Sequence, residues 1–107
     1  MYNIEEAVYH KISGILKTLF PDAQFYLFGS RARGTNRNDS DVDIAIDEGK
    51  KIHFPRLGEA LGVLRELSIP YKVDLVDLHG IPESWKATIL AEGKALPLKT
   101  IFDQILV

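Results

Sequence analysis

Three aspartates and a Gly-Ser pair stand out in this sequence as residues able to do chemistry. The stretch FGSRARGTNRNDSDVDIAI, residues 28–46, sets Gly29-Ser30 and the arginines Arg31, Arg33 and Arg37 ahead of Asp41 and Asp43. Asp is a poor strand former, and two aspartates on one face of a strand repel each other. A cation, a charged ligand or plain solvent must offset that repulsion. Glycine lets a backbone come close to a bulky ligand, and a serine opening a short helix can cap it beside N–H groups that attract phosphate. Two nearby carboxylates supply oxygen ligands suited to Mg²⁺, which takes the rest of its shell from water and substrate phosphates. A two-metal site generally needs a further carboxylate, and Asp74, between Val73 and Leu75 in an apolar stretch, is the best candidate.

The elements that must position these residues follow from periodicity. Ile4, Val8, Ile12, Ile15, Leu16 and Leu19 recur at helical spacing up to Pro21, with Asn3 and Glu6 placed as a capping box. QFYLF, 24–28, reads as a buried strand stopping at Gly29, with a short helix from Ser30 to Arg33 and a polar loop through Ser40. DVDIAID, 41–47, alternates strictly, with Val42, Ile44 and Ile46 on one packed face and Asp41, Asp43 and Ala45 on the other. A helix over 54–67 carries Leu57, Ala60, Leu61, Leu64 and Leu67, and its Gly58 and Gly62 suggest close packing against a sheet. YKVDLVDL, 71–78, is a third strand, and 83–92 a helix stopped by Gly93, while 94–107 yields no clear element. The order αβαβαβα implies one α/β (α+β) domain spanning 1–107, with a small mixed sheet packed by helices, a core of about 4–97 and a tail of 98–107.

Bulk properties bound the function. The chain has 107 residues, 46% hydrophobic and 26% charged, no cysteine and a net charge of −2. Thiolate metal sites, disulfides and cysteine nucleophiles are excluded, which suits a cytoplasmic setting. No apolar run reaches the roughly 18 residues of a membrane helix, so no membrane contact is expected. The slightly acidic balance argues against an extended nucleic-acid surface while leaving room for a local basic site at the arginines.

The motif resembles that of the DNA polymerase β-like nucleotidyltransferase superfamily, specifically its minimal nucleotidyltransferase (MNT) domains. The family pattern is Gly-Ser, ten residues, then Asp-x-Asp; Gly29-Ser30, Arg31–Ser40 and Asp41-Val42-Asp43 match it without a gap. YLFGSRARG, SDVDIAI, YKVDLVDL and the EGK after 83–92 are similar to the family as well, so the resemblance covers roughly 4–97. It implies a nucleotidyltransferase fold in which Gly29 and Ser30 bind the triphosphate, with Arg31 and Arg33 as further phosphate contacts. Asp41, Asp43 and Asp74 would hold two Mg²⁺, and Asp74 would help to activate the acceptor hydroxyl.

The same resemblance implies ATP as donor and, as partner, a helical HEPN RNase toxin that the protein neutralises within a hetero-oligomer by adenylylating a hydroxyl. The competing expectation is an antitoxin that acts by binding alone; a complete set of three aspartates favours the enzyme. A polymerase or tRNA-modifying role would need domains to grip nucleic acid, for which this acidic chain shows no sign. Other residues read more plainly. Arg37 is a solvated loop charge, and Asp77, on the face opposite Asp74, shapes the turn at His79-Gly80. His10, His53 and His79 lack metal-ligand spacing. Trp85, Ile89 and Leu90, with Leu98, Ile101, Phe102, Ile105 and Leu106 of the tail, form surplus apolar surface suited to an interface.

Overall fold

A computed structural model describes residues 4–96. Four helices and four strands alternate along the chain: α1 Glu6–Leu19, β1 Gln24–Phe28, α2 Ser30–Arg33, β2 Val42–Asp47, α3 Phe54–Arg65, β3 Val73–Asp77, α4 Glu83–Glu92 and β4 Lys94–Leu96. The sheet is mixed, in the order β3-β2-β1-β4. β1 runs antiparallel to both β2 and β4, while β2 and β3 are parallel. A parallel pair needs a crossover, and α3 provides it.

Apolar alternation places the layers. Phe25 and Leu27 of β1, Val42, Ile44 and Ile46 of β2 and Val73 and Leu75 of β3 share one core with Ile12 and Leu16 of α1 and Ala60 and Leu64 of α3. From its alternation β2 was expected to have one packed face. Instead Ala45, on the other face, is also fully buried, in a smaller cluster with Leu78 and Ile89 under α4. A methyl side chain lets a helix approach closely, so β2 is packed on both faces beyond Asp43. Ile89 accordingly belongs to the core, leaving Trp85 and Leu90 as the exposed apolar residues of α4.

Several boundaries differ from the sequence reading. Glu5, not Asn3, is the N-cap of α1, and no side chain caps it. Ile4 and Tyr9, which occupy the flanking positions of a hydrophobic staple, are both buried in the core and set the entry of the chain. Asn3 and the apolar tail residues Leu98, Ile101, Phe102, Ile105 and Leu106 lie outside the described residues. β4 was not foreseen; it pairs Leu27 with Lys94 and Phe25 with Leu96. Gly58 and Gly62 pack against nothing, since a Cβ at either would meet no atom within 4 Å. Gly93 is the glycine that packing requires: a Cβ there would lie 2.5 Å from the Ile89 carbonyl oxygen and 3.3 Å from that of Leu27.

These glycines give opposite expectations. Gly93→Ala should cost about 1–3 kcal/mol, the usual penalty of overpacking, because the crowding atoms are backbone. Gly58→Ala and Gly62→Ala should each stabilise by up to about 1 kcal/mol through helix propensity. Urea denaturation of the three variants checks both signs.

Candidate active site

The end of the sheet where β1 finishes and β2 and β3 begin gathers the charged residues. Gly29 has φ +75°, a left-handed conformation that turns the chain sharply from β1 into α2. Its missing side chain leaves room for another group: a Cβ at Gly29 would collide with the carboxylate of Asp43. Phe28 pairs with Asp43 in one ladder, and Asp43 pairs with Asp74 in the other. Asp43 is therefore held between the Gly29 backbone and the Asp74 carboxylate, with Asp41 two residues before it.

The electrostatics follow from that position. Burial pushes the carboxyl of Asp43 above the ordinary aspartate value; Asp74 and then Asp41 push it further, while Arg33 and Lys72 pull it back. Lys72 sits beside the edge carboxylate, Nζ to Asp74 Oδ1 3.5 Å, and was not singled out from sequence. An open cleft of about 470 Å³ is lined by Gly29, Ser30, Arg33, Arg37, Asp39, Ser40, Asp41 and Asp43. Asp74 lies one strand beyond its wall.

The arginines divide by role. Arg33 lines the cleft and is steadied by Glu92 at the end of α4, Nη1 to Oε1 3.3 Å. Arg31, expected at the phosphates, is not in the cleft. It is buried, donates from Nε and Nη2 to the Ser40 carbonyl at 3.1 and 2.8 Å and from Nη2 to the Asn38 carbonyl at 3.2 Å, and lies over the Tyr71 ring. It holds the loop that delivers Asp41. Arg37, expected in bulk solvent, is exposed and paired with Asp39, yet it also forms part of the cleft wall.

Asp77, Asp47 and His79 make structural contacts away from the cleft. Asp77 is buried on the face opposite Asp74 and accepts hydrogen bonds from the backbone N–H of His79 at 3.0 Å and of Ile52 at 2.8 Å. It shapes the turn as expected and also ties down the chain entering α3. His79 Nε2 is 2.6 Å from Asp47 Oδ1.

Among the described residues no three His, Cys, Asp or Glu side chains are spaced to enclose a metal ion. The donor set fits a cation that is only partly held by protein. It consists of carboxylate oxygens alone, crowded enough to disfavour ionisation of Asp43, beside a cleft open to water and phosphate. That is the chemistry Mg²⁺ prefers.

The raised proton affinity of Asp43 has a calculable sign. The folded protein binds that proton more tightly than the unfolded chain, so stability falls as pH rises from the ordinary aspartate value of about 3.9 through the raised folded value. Asp43→Asn should therefore melt higher than the parent at pH 7 in the presence of a chelator. The advantage should vanish well below the ordinary aspartate value of about 3.9, where the parent carboxyl is protonated in both states. Thermal melts across that range measure it.

Comparison with known proteins identifies the family. Residues 10–100 match the family described as Polymerase beta, Nucleotidyltransferase. A probable protein adenylyltransferase MntA of Haemophilus influenzae is 35% identical over 81 residues, covering 73% of this chain and 68% of that protein. A protein adenylyltransferase MntA of Shewanella oneidensis is 32% identical over 88 residues, covering 81% of this chain and 63% of the relative. The chain thus spans about two thirds of the length of these curated relatives. Among solved structures, a toxin–antitoxin complex with AMP-PNP superposes with a TM-score of 0.71 at 27% identity, over 95% of this chain and 80% of that one. A variant of the MntA-HpeT toxin–antitoxin complex gives 0.68 at 25% identity, over 90% and 77%. With a family match across most of its length and the Gly-Ser turn set against paired aspartates, this chain belongs to the polymerase β-type nucleotidyltransferase family.

Proposed function

We propose that this protein is a Mg²⁺-dependent nucleotidyltransferase that moves AMP from ATP to a hydroxyl group of a partner protein, a HEPN-type RNase toxin that it thereby neutralises. The observation that carries the reading is the placement of the Asp43 carboxylate in the space left by Gly29, with Asp74 as its neighbour on the next strand. The relatives named as protein adenylyltransferases and the toxin–antitoxin complex with AMP-PNP support the choice of donor and partner. A cytoplasmic setting, where ATP and Mg²⁺ are abundant, is part of the same reading.

Each residue has a task in this reaction. Ser30 and Arg33, at the turn and in the cleft wall, take the donor phosphates; the guanidinium contributes the stronger, charge-assisted contact. Asp41, Asp43 and Asp74 would hold the divalent cation, which when bound neutralises charge on the phosphates. Lys72 offsets part of the excess negative charge when nothing is bound. Asp74, outermost of the carboxylates, receives the proton of the acceptor hydroxyl. AMP on a toxin hydroxyl adds bulk and negative charge, which repel an RNA phosphate backbone.

Co-expression with a HEPN-type partner protein, followed by intact-mass measurement of that protein, tests the proposal. One or more added AMP groups are expected. Asp43→Asn should lower transfer by about 10²–10³, the scale of one preorganised electrostatic group, and should abolish any Mg²⁺-induced rise in melting temperature. An unmodified partner that is still inhibited, also by the Asp41/Asp43 double Asn variant, would instead establish an antitoxin acting by binding. In a separate titration Ser30→Ala and Arg33→Ala should both weaken ATP binding, Arg33→Ala the more.

A further inference from the structure

The acceptor side of the site can be located from the order of the strands. Across the end of the sheet the sequence of groups is Gly29-Ser30 after β1, then Asp43 on β2, then Asp74 on β3. β3 is the edge of the sheet, and among the described residues no strand pairs with its outer side. In an in-line displacement the nucleophile enters opposite the leaving group. With donor phosphates on the Gly29-Ser30 side, the acceptor must come in past the β3 edge.

That edge leads into an apolar depression. Phe54, 81% exposed at the start of α3, and Trp85, 47% exposed on α4, flank a cavity of about 330 Å³. Its floor is the edge strand itself, with Leu75 facing one side of the sheet and Val76 the other, and with Ile52 and Ile81 beside them. Exposed aromatics around an apolar hollow are costly unless something covers them. Val76 is on the same face as Asp74 and two residues further along, a separation of about 7 Å at the rise of a strand. Lys51 is in the cavity wall, and Lys72 stands at the other end of the strand next to Asp74.

We propose that the β3 edge and the Phe54–Trp85 cavity form the docking surface for the acceptor segment of the partner protein. The occupant is an extended stretch that lies along β3. A large apolar side chain fills the cavity, a hydroxyl-bearing residue two or three positions away reaches Asp74, and acidic flanks meet Lys51 and Lys72. The hydroxyl oxygen then forms a bond to the α-phosphorus of ATP. The bond from that phosphorus to the bridging oxygen breaks, and pyrophosphate leaves with the electron pair. The hydroxyl proton passes to the Asp74 carboxylate and on to solvent. This assignment rests on the proposed transferase reading and adds to it the surface that selects the acceptor.

Phe54→Ser and Trp85→Ala, both outside the catalytic machinery, test it with the HEPN-type partner as acceptor. Each should raise KM for the partner at least about 10-fold, the scale of an aromatic interface anchor, with kcat at saturating partner and ATP affinity within about twofold of the parent. Phe54→Leu and Trp85→Phe should restore most of the loss. Trp85 is the only tryptophan, so 5-fluorotryptophan labelling gives a single ¹⁹F signal, expected to be solvent-exposed in the free protein and to shift on addition of unlabelled partner. Unchanged KM in both variants while the parent modifies the partner would overturn the surface and leave the transferase reading standing. A Trp85 signal already shielded in the free protein, by residues 97–107 or by a second copy, would overturn it as well. A parent protein that modifies nothing would overturn the transferase reading itself.

Discussion

The only partly relieved crowding of carboxylates at one end of the sheet is the constraint around which this fold is arranged. A parallel ladder sets Asp43 directly beside Asp74, and the alternation of each strand gives neither side chain another way to point. Gly29 closes the third side with backbone, because only a residue without Cβ leaves the Asp43 carboxylate in place. A stability-seeking sequence would put an apolar or neutral polar residue at one of these positions. What offsets the cost lies in the core, where Phe25, Leu27, Val42 and Ile44, all 0–2% exposed, occupy the very same strands.

Two contacts turn that crowded end into a defined site. Arg31 spends its guanidinium on the carbonyls of Ser40 and Asn38 and on the face of Tyr71, so the loop before Asp41 is fastened from beneath. Arg33, two residues on in the same helix, lines the cleft and is linked to Glu92 at the end of α4. The link depends on α4 ending where it does, and Gly93 makes that possible by letting the chain pass close to the Leu27 carbonyl into β4. The last helix and strand thus bear on the phosphate side of the cleft without touching its floor.

How much of this was legible in the sequence depends on how local its cause is. β1, α2 and α4 have the bounds the sequence implied, because Gly29, Gly34 and Gly93 punctuate them and each run is short and periodic. That Asp43 lies on the face opposite Val42 and Ile44 was legible because period two on a strand fixes which side chains share a face. The burial of Arg31 was not, since its partners Ser40 and Tyr71 come from elsewhere in the chain and nothing in SRAR separates one arginine from the other. β4 was missed because Lys-Ala-Leu is too short to alternate and becomes a strand only by pairing with β1. Ala45 looked like a residue on an open face, and only the later arrival of α4 buries it.

The far ends of the same strands show what the aspartates of the site forgo. Asp47 ends β2 as Asp43 nearly begins it, and burial acts to raise the carboxyl of both. At Asp47 that push is overcome by the hydrogen bonds it makes with His79 and with the Gly49 N–H and by nearby Lys86, so its affinity for a proton falls below the ordinary value. Asp77, ending β3, is likewise satisfied by two backbone N–H groups. Asp43 has no such donor among the described residues, and the charges that act on it most strongly are those of two more aspartates, Asp74 and Asp41. One residue type on one strand is therefore shifted in opposite directions at its two ends, according to whether the surrounding groups complete it. A carboxylate completed by the protein is a structural element; one left to be completed by a cation and a phosphate is poised for binding.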